Sequence, residues 1–257
     1  MAQNFDPQVD GFSFVNYWTL DQATRDELRN KMTETVSSVL GFLPDLPPLA
    51  PLRSVIQKTT SDWVSKASTR AFGLCGGMAF AALDYYKAGR NVPNEPGPTT
   101  DNLSPALRSY ILGRMKDSFM FVKDGVVHNN LGRVLAWMAV EWLVPLGEGQ
   151  RMLLHWTQDE YKKLQGLITA NGAWPLALIG EAQDPCENHQ VLAYKFDSGA
   201  GANAIYVYDM NHPGAGHKIS LDFSGSALKA VYDFTGDSWQ PLRGFFCEDY
   251  AFVRPTV

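Results

Sequence analysis

The chain has 257 residues, 45 % of them apolar and 19 % charged, with a formal net charge of −5. This composition affords a sizeable core and excludes a disordered chain, and an acidic balance without a lysine/arginine block argues against a nucleic-acid surface. No run approaches the ~18 apolar residues of a membrane span, and three cysteines are too few, and odd in number, for a disulfide framework.

In chain order, "MAQNFDPQVDG" lacks a basic region followed by an apolar run, so no secretory signal is expected. The expected location is cytoplasmic, or outside the cell without a cleaved signal. "WTLDQATRDELRNKMTETVSSVLGFL" has helical spacing, with Thr19 and Gln22 as a capping box. Pro44, Pro47, Pro48 and Pro51 end it in an extended connector. A second helix is expected over about 54–68 and a third over 76–88, stopped by Gly89. Helical patterns return in "ALRSYILGRMKDSF", "NNLGRVLAWMAVEWLV" and "HWTQDEYKKLQGLITANG", the last with Thr157 and Glu160 at capping-box spacing.

The period then changes. "WPLALIG", "HQVLAYKF", "NAIYVYDM", "HKISLDF", "LKAVYDF" and "FFCEDYAFV" are short, rich in Val, Ile, Tyr and Phe, and separated by turn residues. They predict an antiparallel meander. Helices first and strands afterwards make an α+β fold: one domain over 1–257, helical over about 1–172 and sheet over about 173–257. Trp137, Trp142, Trp156 and Trp174 fall in these patterns as core residues.

One stretch within the third helix carries chemistry. In "AFGLCGGMAFAALDYYKAG", Cys75 sits among glycines where the helix begins. A thiol attacks as thiolate, and a helix N-terminus supplies partial positive charge and unpaired N–H groups that stabilise both a thiolate and an oxyanion. Gly76 and Gly77 would let a substrate carbonyl approach the backbone. The alternative is a small apolar cysteine packed at a helix start.

A nucleophilic cysteine needs a base, and the base an orienting partner. His189 opens one strand and Asp209 ends the next, with the turn "DSGAGAN" between them. A hairpin folded about Gly199 sets His189 directly opposite Asp209, on one face and ~5 Å apart at Cβ. A slipped register makes Asn211 the orienter instead. The alternatives are a strand-end histidine donating to a carbonyl and a turn-forming aspartate.

The order Cys75, His189, Asp209 resembles the papain-like cysteine peptidase superfamily, and within it the bacteriocin-processing type of bacterial branch. "GLCGGMAFAALDYY" is similar to its cysteine helix, "NHQVLAYKF" to its histidine strand and "IYVYDMN" to its orienter strand. The resemblance implies a cysteine helix packed on an antiparallel sheet and an acyl-enzyme thioester. It also implies a peptide or protein substrate, with no cofactor. The family's amide upstream of the nucleophile is absent from "SKASTRAFGLC", which leaves Ser68, Thr69 or backbone N–H groups for the oxyanion. The tryptophan that follows the nucleophile in papain is absent too, with Met78 nearby. An acyltransferase or transglutaminase-like enzyme and a catalytically inactive binding protein are the other outcomes. Cys186 and His189, with His212 and His217 downstream, have the spacing of a zinc site, but no second tight ligand pair follows and no metal is expected.

Overall fold

The computed structural model describes residues 4–42, 73–93, 103–181, 187–199, 203–233 and 241–257. Within them the fold is α+β. Helices α1 (Gln22–Phe42), α2 (Cys75–Lys87) and α3 (Pro105–Phe119) come first. A hairpin of β1 (Met120–Lys123) and β2 (Val126–Asn129) follows, then α4 (Asn130–Leu143) and α5 (Leu146–Asn171). Six strands complete the chain: β3 (Trp174–Gly180), β4 (His189–Asp197), β5 (Asn203–Tyr208), β6 (Gly216–Asp222), β7 (Lys229–Tyr232) and β8 (Leu242–Cys247). The proline connector, the helix expected over 54–68, Ser68, Thr69 and Cys186 lie outside the described residues.

α2 is the central helix. Every residue from Gly76 to Tyr85 is buried, as befits a helix that is apolar all round. It packs against α3 on one side and β4 on the other. Gly77 makes the first contact possible: a Cβ there would lie 2.4 Å from the Ile111 carbonyl oxygen and 2.9 Å from Met115 Cβ. The one charge on its buried face, Asp84, meets Arg114 of α3 at 2.6 Å. Asp84 also accepts from Tyr110 (2.8 Å), Tyr250 (2.6 Å) and the Val253 N–H (2.9 Å). A buried carboxylate is tolerable only when satisfied in this way.

The six strands are antiparallel in the order β7-β6-β5-β4-β3-β8. A simple meander would pair β8 with β7; instead β8 returns to pair with β3, Leu176 facing Cys247 and Leu178 facing Phe245. The sheet curls until its edge strands β7 and β8 touch. One face buries Leu178, Val191, Ile205 and Val207 with Tyr161, Leu164 and Ile168 of α5. The other presents Leu192 and Tyr208 to α2 and to an N-terminal segment that buries Phe5, Phe12, Phe14 and Trp18. Each such large side chain removed from water contributes about 2 kcal/mol.

Three local expectations change. α1 is capped by Asp21, whose Oδ1 accepts the Thr24 N–H at 2.8 Å, rather than by Thr19 with Gln22. α5 begins at Leu146, so Thr157 is interior and bonds back to the Leu153 carbonyl at 2.7 Å. Asp124 and Gly125, both at positive φ, turn the hairpin β1–β2 where the sequence reading assigned no element.

Candidate active site

Cys75 is the first residue of α2, and Leu74 before it supplies no side-chain cap. The Leu74 N–H donates to Asn16 Oδ1 at 2.7 Å, and the Gly77 N–H points at Met115 Sδ, 3.3 Å away. Among the described residues the N–H groups of Cys75 and Gly76 are left without a partner. A helix begins with such orphan donors, and here they flank the thiol.

The glycines serve packing as well as access. A Cβ on Gly76 would lie 2.1 Å from Gln190 Oε1 and 2.3 Å from Ser118 Oγ. Gly77 is sealed by α3. The expected open approach of a substrate carbonyl across both glycines is therefore corrected: Gln190 and Ser118 already press on the first, and α3 covers the second.

His189 Nε2 and Asp209 Oδ1 are 2.8 Å apart, with the residues 7 % and 2 % exposed. Cys75 lines the same cavity as the imidazole and is near enough to favour its charged form. With Nε2 held by Asp209, Nδ1 is the nitrogen left to the thiol. The structure thus brings Cys75, His189 and Asp209 together. Asp209 also accepts the Asn211 N–H at 2.8 Å and the Tyr232 hydroxyl at 2.9 Å.

The register that achieves this differs from the one expected. Leu192 pairs with Tyr208 and Ala193 with Val207, and the register shifts by one between Ala193 and Lys195. This pairing is offset from that of a hairpin folded about Gly199. Asp209 reaches His189 from one step beyond the end of β5, a diagonal neighbour rather than a directly opposed one. A displacement of two residues preserves the face, which is why the pair still meets.

The Asn211 side chain bonds away from the imidazole. It accepts from Asn16 Nδ2 at 3.0 Å, and only the residue's backbone touches Asp209. Asn16 in turn holds the Leu74 N–H, so one asparagine ties the turn after Asp209 to the residue before Cys75. Nor do the remaining histidines converge on His189: His217 Nε2 lies 3.3 Å from the His212 carbonyl, and no cluster among the described residues has the makings of a metal site.

The electrostatics follow from burial and pairing. Burial opposes a charge on His189, but the Asp209 carboxylate, the hydrogen bond to it and the Cys75 thiol outweigh burial and push the imidazolium up to about 10. Burial also opposes a charge on Asp209. The His189 cation and hydrogen bond, with the Asn211 and Tyr232 donors, outweigh it and hold the carboxyl well below the usual carboxylate range.

Two residues of the site escaped the sequence reading. Gln190, one step after His189, lies with Oε1 3.7 Å from Cys75 Sγ and donates from Nε2 to Glu248. The signal in the sequence is an amide directly after the histidine, where the papain-like pattern has its amide upstream of the cysteine. Glu248, just past β8, gave no sign that its strand returns to β3. Compared with protein-family models, curated proteins and solved structures, the chain finds no match in any of the three.

Proposed function

We propose that the chain is a cysteine-dependent hydrolase of peptide or amide bonds, similar in layout to the papain-like peptidases. The observation that carries this reading is the Cys75–His189–Asp209 contact at an uncapped helix N-terminus. His189 takes the Cys75 proton, and Asp209 fixes the imidazole and favours its charged form. The thiolate attacks the substrate carbonyl carbon, and the oxygen that becomes negative is met by the Cys75 and Gly76 N–H groups. His189 returns its proton to the leaving amine, giving a thioester. Water, deprotonated by His189, releases the acid and restores the thiol. An amine acceptor in place of water gives acyl transfer by the same steps.

Gln190 does not replace the missing upstream amide as it stands, since it turns its carbonyl oxygen toward the thiol. The oxyanion falls to backbone donors. A p-nitrophenyl ester tests the reading: a burst of p-nitrophenol with an acyl adduct on Cys75, absent in Cys75→Ser and His189→Ala, is expected. Discharge by water marks a hydrolase; discharge only by added amine marks a transferase. No adduct on Cys75 would leave a binding protein.

A further inference from the structure

A cavity of about 70 Å³ adjoins Cys75 and His189. Apolar side chains, among them Met115, Phe119 and Leu131, line it beside the polar Ser118, Asn130 and Asn188. The lining holds one acid, Glu248, which is 1 % exposed. Its Oε1 accepts from Gln190, but its buried Oε2 has no hydrogen-bond partner. Buried polar atoms are rarely left so, because an unsatisfied one is costly.

No lysine or arginine lines the cavity. Arg133 of α4, whose charge reaches Glu248, has other partners: it donates to the Cys247 carbonyl and to Glu160 of α5, both at 2.8 Å, and lies 3.9 Å from Asp249. Asp249 is also paired with His128 of β2 at 3.1 Å. On the site's own side, His189 and Asp209 pair one charge of each sign. Neither compensates the buried, unpartnered Oε2, which a cationic donor satisfies best.

We propose that this cavity is a substrate subsite for a cationic side chain, lysine- or arginine-like, with Glu248 as the residue that recognises it. The proposal rests on reading Cys75 as the nucleophile. Gln190, bonded to Glu248 and in contact with the thiol, sets the distance from the bound cation to the reacting carbonyl. Burial, with help from Asp249, pushes the Glu248 carboxyl up to about 8, against the opposing pull of Gln190 and Arg133. A cation favours the ionised form, so its binding releases a proton and tightens as pH rises toward 8; a neutral side chain gains nothing.

Methanethiosulfonate reagents carrying aminoethyl, hydroxyethyl and sulfonatoethyl groups probe this directly. The Cys75 thiolate attacks the reagent sulfur, a mixed disulfide forms and methanesulfinate leaves. Rates at Cys75 are read by peptide mass and normalised to a small free thiol. The aminoethyl reagent should outrun the hydroxyethyl one by about tenfold, with the ratio rising from pH 6 to pH 8 in the unaltered protein. Glu248→Gln should abolish the preference and its pH trend, bringing the aminoethyl-to-hydroxyethyl ratio to about one. An unchanged ratio in Glu248→Gln, or no preference and no pH trend in the unaltered protein, overturns the subsite alone. Failure of Cys75 to react with any reagent overturns the nucleophile and the subsite together.

Discussion

At the scale of single residues, the site depends on His189 holding its proton in a buried place. Burial alone would expel that proton; Asp209, 2.8 Å away, reverses the outcome. Asp209→Asn keeps the shape and removes the charge. The imidazolium then loses its chief support, and alkylation of Cys75 at pH 6 should fall about tenfold with its pH profile moving to higher pH. A profile that does not move would reduce Asp209 to a structural partner. Cys75, His189 and Asp209 were legible because each residue type has few uses in such a setting. Gln190 and Glu248 were not, because an amide and a carboxylate in strands look like any others until their neighbours are known.

At the scale of elements, the helix of Cys75 is positioned by close backbone contact. Gly77→Ala drives a Cβ into the Ile111 carbonyl, so α2 and α3 must separate; we expect a loss of about 1–3 kcal/mol in urea unfolding. Gly166→Ala in α5 meets nothing within 4 Å and should be neutral or stabilising by up to about 1 kcal/mol. Equal effects at both sites would contradict the packing account. Most helices and strands could be read from their periods, since apolar spacing reports which face is buried. Capping was harder to place: Thr157 has the right spacing for a box it does not form, because α5 starts eleven residues earlier. The strand order was out of reach as well, since β8 joins β3 through pairings that no local pattern encodes.

At the scale of the molecule, three distant segments meet at one point. The N-terminal segment contributes Asn16, which bonds both the Leu74 N–H and Asn211. The helical part contributes Cys75, and the curled sheet brings His189 and Asp209 to it. No helix among the described residues is long and apolar enough to cross a membrane. The convergence matters chemically only if His189 and Cys75 share a proton in the folded protein. His189 stays charged well above its usual range, up to about 10, so below that pH the imidazolium is present to stabilise a thiolate, and it is lost only as pH rises through that value. Iodoacetamide labelling of Cys75 at pH 6, with and without His189→Ala, tests this most directly. The account predicts ready labelling of the unaltered protein and a fall of at least about tenfold in the variant. Labelling that follows the pH dependence of a small free thiol in both proteins, or fails in both, would contradict it.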